Sequence, residues 1–194
     1  MIKINANLFR IVYAATSTEE TRYYLKGVFV EPNPAGGVNL VATDGHRLMC
    51  VHDKHGHADV AAIISLDKTG LKACKPSLSR FTRDDYRQLN VNNQGAVTVK
   101  TFTAFDEEKN EYCGIESTTY GSSLDSRIDG TFPDFRRILP AGINHGKSGV
   151  FNAAYVNAFA GIAADLNAEF NKGKISTLRI VCNDPSTAAL VLFG

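Results

Sequence analysis

Histidine and aspartate side chains cluster in one short segment of the first third of the chain. The cluster comprises His52, Asp53, His55, His57 and Asp59. Imidazoles and carboxylates bind zinc and other divalent metals when a fold orients them correctly. The HxxHxH spacing matches no closed structural site, and the intervening Lys54 and Gly56 are typical of an exposed turn. The sequence therefore favours a solvated turn over a metal site.

Residues 142–148 look like a loop that could hold phosphate groups. The relevant residues are Gly142, Gly146, Lys147 and Ser148. Phosphate-binding loops use backbone amides and a lysine at the start of a helix. The spacing is wrong by one residue, because Ala141 stands where the first glycine is required, and Pro140 interrupts the strand that should precede the loop. A linker explains these glycines better than a nucleotide site.

No nucleophile with a partnered base is recognisable in the chain. It contains neither a GxSxG elbow nor a cysteine and histidine pair in a recognisable local frame. We therefore expect a protein that is not an enzyme and needs no cofactor. A metal- or nucleotide-dependent enzyme using the histidine cluster or the linker glycines is the weakest of three hypotheses.

The composition is that of a folded globular protein. Of 194 residues, 44% are hydrophobic and 21% are charged. Lys and Arg number 21 against 20 for Asp and Glu, so the net charge of +1 provides no bulk attraction to phosphate. Four widely spaced cysteines and an N-terminus without an apolar signal run predict free thiols in a reducing cytoplasm. No apolar run approaches the roughly 20 residues needed to cross a bilayer.

Three lysines form a cationic stripe on one predicted helix. Lys68, Lys72 and Lys75 are spaced i, i+4 and i+7. Such a stripe can follow a phosphate backbone without reading its sequence. An ordinary solvated helix face is the alternative, and three lysines alone favour it.

Apolar periodicity predicts three similar cycles of strand, helix and strands. The helix of the first cycle has an apolar stripe formed by Leu8, Ile11, Val12 and Ala15. The first cycle is predicted as a strand at 2–4, a helix ending near 16–18, and strands at 23–30 and 38–51 around a turn at 32–37. The second cycle is predicted to open with an apolar run at 60–66, followed by a helix that is capped by Asp67 and continues through Lys75. Strands are then predicted at 86–91, 96–105 and 112–123, and the polar residues 106–111 form the tip between the last two.

The third cycle contains the strongest helical pattern. Asn152 is its predicted N-cap, and its predicted buried stripe is Val156, Phe159, Ala163 and Leu166. Strands at 178–182 and 188–193 follow. Because the cycles lack alternating single-strand crossovers, they predict an α+β fold with helices on one face of largely antiparallel sheets. A doubly wound parallel fold is the weaker alternative.

Four segments resemble bacterial sliding clamps, the beta subunit of DNA polymerase III. Residues 21–28 (TRYYLKGV) and 40–48 (LVATDGHRL) resemble the signature of the middle clamp domain, and residues 129–140 (DGTFPDFRRILP) resemble the segment that leaves it. Residues 151–156 (FNAAYV) are similar to the start of the second half of the last clamp domain. The resemblance implies a complete clamp-like domain at 1–140, a linker at 141–149 and a partial domain at 150–194.

The resemblance also implies a groove that accepts short linear peptides from polymerases, the clamp loader and repair proteins. The matching positions are Leu25, Thr43, Gly45, His46, Arg47, Leu48, Pro133, Arg137 and Ile138. An apolar cleft with a few polar groups suits such peptides. Residues 43–46 are also expected to form a tight strand-to-strand connection, where glycine permits unusual backbone angles and aspartate bonds locally.

DNA contact is the second expectation. In clamps, residues at positions matching Arg22, Tyr23 and Tyr24 contact DNA, and an aromatic ring can stack on an unpaired base. The resemblance also places the helix bearing Lys68, Lys72 and Lys75 against DNA. Together they predict weak contact with double-stranded DNA without sequence preference. Simple strand-forming tyrosines are the alternative.

The leading hypothesis is a clamp-like processivity factor of DNA replication or repair that docks peptides in the cytoplasm. The sequence departs from the family, since the first domain, half of the last domain and the usual C-terminal tail have no counterpart. A regulator or decoy that uses the same groove without encircling DNA is therefore the second hypothesis. A homo-oligomer is compatible with the sequence, and counting cycles permits a tetramer, while a dimer or monomer fits equally well.

Overall fold

The computed structural model describes residues 1–76, 86–139, 150–166, 178–181 and 189–193. The chain divides into two compact units, which we call unit 1 (Met1–Phe132) and unit 2 (Pro133–Gly194). The predicted linker at 141–149 and the phosphate-loop pattern at 142–148 lie outside the described residues. In the ranges given above, no helix has both the length and the apolar character needed to span a membrane.

Unit 1 contains two five-stranded antiparallel sheets. Its strands are β1 (Ile2–Asn5), β2 (Val28–Pro32), β3 (Val38–Thr43), β4 (Leu48–Asp53), β5 (His57–Ala58), β6 (Ala62–Ile64), β7 (Tyr86–Val91), β8 (Val97–Asp106), β9 (Glu111–Ser122) and β10 (Arg127–Ile128). One sheet has the order β5-β1-β7-β8-β9, and the other has the order β10-β6-β2-β3-β4. The described residues of unit 1 also include two α-helices, α1 (Ala6–Tyr13) and α2 (Lys68–Ala73).

The two cycles of unit 1 exchange their first strands. Strand β1 opens the first cycle but pairs with β7 of the second, where Ile4 lies opposite Leu89. Strand β6 opens the second cycle and pairs with β2 of the first, where Val28 lies opposite Ile64. These four residues are all buried. Each sheet is therefore completed by a strand from the other cycle.

Helix α1 confirms the predicted stripe, because Leu8, Ile11, Val12 and Ala15 are all buried. The side chain of Asn5 caps its start by accepting a hydrogen bond from the Leu8 amide. The helix ends at Tyr13, earlier than the predicted 16–18. The amides of residues 14–16 instead bond the carbonyls three residues earlier, which tightens the chain into a final turn.

The prediction of a strand at 23–30 is wrong in its first half. A 3-10 helix spans Tyr23–Leu25, and the strand begins only at Val28. The Leu25 amide bonds Arg22 O at 2.9 Å, and Leu25 O accepts the amide of Ser17. These bonds hold the segment against the end of the first helix and bury Leu25. The bonds and the burial together outweigh the strand-forming composition of the segment. Residues 38–51 form the strands β3 and β4, joined at the predicted connection.

Helix α2 is shorter than predicted. Asp67 caps its start as expected, since its carboxylate accepts the Gly70 amide at 2.6 Å. The helix ends at Ala73, and Lys75 lies beyond it because its amide bonds Lys72 O in a tighter turn before Pro76. Strands β7, β8 and β9 agree with the three predicted strands of this cycle to within one residue at each end.

Unit 2 has a 3-10 helix (Phe135–Ile138), helix α3 (Ala153–Leu166) and a hairpin of β11 (Leu178–Val181) and β12 (Leu190–Phe193). Asn152 accepts the Ala154 amide at 2.9 Å, as expected of an N-cap.

The predicted buried stripe of α3 is only partly correct. Leu166 is buried, but Val156 is 36% exposed, and Ile162 is buried although it was not predicted to be. Phe159 and Ala163 are partly exposed. The helix is apolar on nearly every face, so its periodicity did not distinguish the side that packs. Its antiparallel hairpin, with the two sheets and helices of unit 1, confirms the α+β class.

Three cysteines of the described part of the chain, Cys50, Cys74 and Cys113, are free thiols as predicted. Cys182 lies outside that part. Burial raises the pKa of the Cys74 thiol to about 12, which makes it unreactive at neutral pH.

The side chain of Asp53, in β4, connects its own sheet to β1, which belongs to the other sheet. This side chain is buried, with 3% of the residue exposed. One carboxylate oxygen accepts the Asn5 amide at 2.7 Å, and the other accepts the His55 amide at 3.2 Å. A buried carboxylate is stable only when such donors satisfy it. The role of Asp53 in this fold is therefore to bind backbone amides.

Replacing Asp53 with alanine should lower the free energy of unfolding by about 2–3 kcal/mol, because two partly buried amides lose their acceptor. The Asp53→Asn control keeps one acceptor oxygen and should lose less. Urea unfolding of both variants measures the difference. Equal stability of wild type and Asp53→Ala would refute the structural role of this carboxylate.

Candidate functional site

Five of the six candidate groove residues of unit 1 lie in or beside the connection between β3 and β4; the sixth, Leu25, lies in the 3-10 helix. Thr43 is the last residue of β3, and its hydroxyl donates to Arg47 O at 2.7 Å. The same hydroxyl accepts the Gly45 amide at 3.0 Å. Gly45 has φ +91°, a left-handed conformation that side-chain-bearing residues rarely adopt. The hydroxyl and the glycine together hold a tight connection that positions His46, Arg47 and Leu48.

Asp44 supplies the central acceptor of this connection. Its Oδ1 accepts the amides of His46 and Arg47 at 2.9 and 3.0 Å. Its Oδ2 accepts Arg47 Nε at 3.0 Å. Burial of the carboxylate opposes its ionisation, but the two amides and the Arg47 guanidinium outweigh burial and hold the pKa of Asp44 below its ordinary value. The aspartate is therefore an ionised, multiply bonded anchor.

Arg47 joins the connection to the first helical segment. Besides Asp44, its guanidinium donates to Ala14 O at 2.8 Å. Ala14 follows α1, where carbonyl groups lack intrahelical partners and attract cations. The guanidinium is thus engaged within the fold, which makes Arg47 a positioning residue for its neighbours His46 and Leu48.

The candidate groove side chains of unit 1 differ in how accessible they are to a ligand. Leu25 is buried, with 3% exposure, and therefore belongs to the core beneath the surface. Leu48 is partly exposed, and His46 is exposed. Of the candidate side chains in unit 1, those of His46 and Leu48 are therefore accessible to a ligand.

The candidates in unit 2 lie in and just before its 3-10 helix. Pro133 precedes the helix, while Arg137 and Ile138 belong to it. All three are exposed, and Ile138 exposes 53% of its surface. Phe135 anchors this helix by burial, and the Arg136 guanidinium lies 4.6 Å from the centre of its ring. Ile138 is therefore available to an apolar ligand.

The first candidate DNA contacts adjoin the β3–β4 connection. A β-carbon at Gly45 would lie 2.8 Å from Arg22 Nη1, so the guanidinium of Arg22 rests against this glycine. Tyr23 is 53% exposed, and its ring meets that of Tyr24 edge to face at 5.7 Å. The prediction that these tyrosines belong to a strand is wrong, because they lie in a 3-10 helix.

The other candidate DNA contacts lie on α2 and just beyond it. Lys68, Lys72 and Lys75 are all exposed. The opposite face of the helix packs closely, since a β-carbon at Gly70 would lie 3.1 Å from the ring of Tyr120 on β9. The Tyr120 hydroxyl also donates to Asp67, the N-cap of the helix, at 3.2 Å. This contact with β9 holds the lysine-bearing side towards solvent.

The histidine cluster does not converge on one point. His52 Nε2 lies 2.8 Å from Gly36 O, His55 contacts the Asn110 side chain, and His57 Nε2 lies 2.9 Å from Asp59 Oδ1. Within the described ranges, no group of three or more His, Cys, Asp or Glu side chains could hold a metal ion.

Two positioning residues were missed as site residues. Asp44 was expected to form local hydrogen bonds, but its ion pair with the Arg47 side chain was not predicted. An aspartate three residues before an arginine is a sequence pattern that could have indicated this pair. Tyr120 is 53 positions from Asp67 along the chain, so no local pattern could have paired them.

Comparison with known proteins gives one consistent relationship. The chain is 32% identical over 133 residues to the beta sliding clamp of Pseudomonas aeruginosa, covering 66% of this chain and 29% of that protein. It is 31% identical over 131 residues to the beta sliding clamp of Caulobacter vibrioides, covering 65% of this chain and 30% of that protein. No family model matches the chain. The resemblance to the beta subunit of DNA polymerase III is confirmed.

A solved structure of the DNA polymerase III subunit beta from Pseudomonas aeruginosa aligns with 100% of this chain and 50% of that chain, with 20% identity and a TM-score of 0.44. The chain spans less than a third of the length of its curated relatives and half of this solved chain.

Replacing Asp44 with alanine should lower the free energy of unfolding by about 2 kcal/mol at neutral pH, because a charged acceptor is lost. Asp44→Asn keeps an oxygen for the amides and should lose less. The folded-state pKa of Asp44 is depressed. Its stabilising effect is therefore present above about pH 4 and is lost as the pH falls through that pKa. Denaturant unfolding at neutral and acid pH tests this; an Asp44→Asn difference that is independent of pH would contradict it.

Proposed function

We propose that this chain is a sliding-clamp-like accessory protein of DNA replication or repair. It docks short peptide motifs of polymerases, clamp loaders or repair proteins, and it contacts double-stranded DNA weakly and without sequence preference. Its role is to hold other proteins near DNA rather than to catalyse a reaction, and this role implies a cytoplasmic location. The similarity to beta sliding clamps over two thirds of the chain carries the proposal.

The β3–β4 connection supports peptide docking. Asp44 and Arg47 hold the backbone of this connection in one conformation, so the neighbouring Leu48 is presented without a large ordering cost on binding. In unit 2, exposed Ile138 offers an apolar side chain suited to an aliphatic or aromatic anchor of a peptide. Because a few buried anchors dominate the affinity of such complexes, we expect micromolar binding.

The cationic surface supports weak DNA contact. Lys68 and Lys72 are exposed on one helix, and the aromatic ring of exposed Tyr23 is available to stack on a base. The formal net charge is only +1, so attraction to phosphate depends on these local charges. Local charge without base-reading contacts gives binding that is sensitive to salt and indifferent to sequence.

A fluorescent clamp-binding peptide should bind the purified protein with micromolar affinity, and the same peptide with alanine at its hydrophobic anchors should not. Ile138→Asp should weaken binding at least tenfold, because an apolar anchor would meet a charge. Fluorescence anisotropy measures both affinities.

The matched control is Leu124→Asp, which places the same charge at a leucine that is 78% exposed and outside the candidate groove. Leu124→Asp should leave the peptide affinity unchanged. Peptide binding that is equally strong in Ile138→Asp would show that Ile138 is not part of the groove. Absence of anchor-dependent binding to the wild-type protein would refute peptide docking altogether.

The double variant Lys68→Glu, Lys72→Glu should weaken DNA binding equally for unrelated sequences. It should also reduce the slope of log affinity against log salt by about 2, because two phosphate contacts are lost. DNA binding is measured by anisotropy of labelled duplexes over a salt series.

Lys54→Glu, Lys109→Glu is the charge-matched control, since both lysines are exposed and lie outside α2. This control changes the net charge by the same amount and should leave most of the slope intact. If the two double variants behave alike, the α2 lysines have no specific role and the effect is one of net charge.

A further inference from the structure

Two elements of unit 1 that bear candidate DNA contacts come from different cycles. The 3-10 helix with Tyr23 belongs to the first cycle, and α2 with Lys68 and Lys72 belongs to the second. The 3-10 helix directly precedes β2, and α2 directly follows β6. These two strands pair antiparallel, and the pair nearest to both elements is Val28 opposite Ile64. The strand pairing therefore brings the two elements together at the point where it ends.

The two backbones stay close beyond this last pair. Gly27 lies between the 3-10 helix and β2, and a β-carbon at this position would lie 2.7 Å from Ile64 O. A side chain at residue 27 would therefore push the two segments apart, and glycine permits the close approach. Because strand pairing ends here, other contacts must fix how the two elements lie relative to each other.

The hydroxyl of Tyr13 supplies such a contact. Its oxygen lies 3.2 Å from Lys26 O, at the C-cap of the 3-10 helix, and 3.2 Å from Leu66 O, directly before the N-cap of α2. It also lies 2.9 Å from Ser65 Oγ, and the Ser65 hydroxyl donates to Lys26 O at 3.3 Å. Two hydroxyl protons thus serve two carbonyl groups, one at the end of each element.

The ring of Tyr13 is itself held in place. Tyr13 is the last residue of α1, and its ring centre lies 5.8 Å from that of Phe9, which is completely buried. The hydroxyl is therefore presented from a packed helix rather than from a loop. Tyr120, by comparison, fixes the start of α2 against β9 within the second cycle. Tyr13 belongs to the first cycle and fixes the start of α2 against the 3-10 helix.

We propose that Tyr13 is a positioning residue that joins the helix bearing Tyr23 and the helix bearing Lys68 and Lys72 into one DNA-contacting surface. The inference rests on the proposed DNA contact and adds to it the group that makes its two parts act together. Tyr13 needs no contact with DNA for this role. Its hydroxyl holds the two elements at a fixed separation, so that one DNA molecule meets both parts at once.

A fixed separation increases affinity because the second contact then forms without a further loss of conformational freedom. If the two elements moved independently, binding would have to order one against the other, and part of the affinity would be lost. The contribution of Tyr13 therefore depends on the presence of both contacts. This dependence distinguishes positioning from general stabilisation of the fold, which would change the affinity by the same factor whichever contact is present.

Anisotropy titrations of a labelled duplex with a single-stranded extension test this dependence, because the probe offers both phosphates and an unpaired base. Tyr13→Phe removes the hydroxyl and keeps the ring, and it should weaken binding roughly fivefold when Tyr23 is present. In the Tyr23→Ala background, the same substitution should change the affinity by less than about twofold. An equal factor in both backgrounds would overturn the proposal, and so would a Tyr23→Ala variant that binds as tightly as the wild type.

Ser126→Ala is the matched control, since it also removes a partly buried hydroxyl that donates to a carbonyl group of unit 1, that of Gly95, at 2.9 Å. It should leave DNA binding unchanged. Ser65→Ala removes the second hydroxyl of the bridge and tests the same link if Tyr13→Phe fails to fold. It should weaken DNA binding about twofold, with the same dependence on Tyr23.

Amide hydrogen exchange measures the link without DNA. Tyr13→Phe should speed exchange of the Lys26 amide, which bonds within the 3-10 helix, and of the Gly70 amide, which bonds the N-cap of α2. Ser126→Ala should change neither rate, and unchanged rates in Tyr13→Phe would overturn the proposal. A wild-type protein that binds no DNA refutes the proposed DNA contact and the inference together. A wild type that binds DNA, with Tyr13→Phe acting equally in both backgrounds, refutes the inference alone.

Discussion

The pairing of strand edges is the constraint on which unit 1 depends. Backbone amides and carbonyls at a sheet edge require partners, and in unit 1 each cycle obtains one partner strand from the other cycle. Because β1 and β6 are exchanged, neither cycle forms a complete sheet without the other. The helices then pack on sheets that both cycles have built. Asp53 strengthens the same union by binding the amide of Asn5 at the end of β1.

The candidate site follows from this framework. Strands β3 and β4 end at a four-residue connection, and Asp44 and Thr43 satisfy its backbone while Arg47 attaches it to the carbonyl of Ala14. Rigidity at this point comes from polar groups used inside the fold, while His46 remains exposed and Leu48 partly exposed.

Local signals explain the correct predictions. Asp67 and Asn152 have the sequence context of N-caps, and the i, i+3, i+4 stripe of the first helix predicted its buried face. Predictions failed where distant contacts outweighed local preference. The bond from Ser17 to Leu25 turned an expected strand into a 3-10 helix, and the uniformly apolar composition of α3 concealed which side packs.

By itself the sequence determined the α+β class, the buried face of the first helix, the position of the β3–β4 connection and the resemblance to sliding clamps, because caps, periodicity and motifs are local properties of the chain. Only the tertiary structure decided which strands pair, that Arg47 is engaged by Asp44 and Ala14, and that Leu25 belongs to the core. Those outcomes depend on contacts between residues far apart in the chain, where packing and hydrogen-bond satisfaction outweigh local propensity.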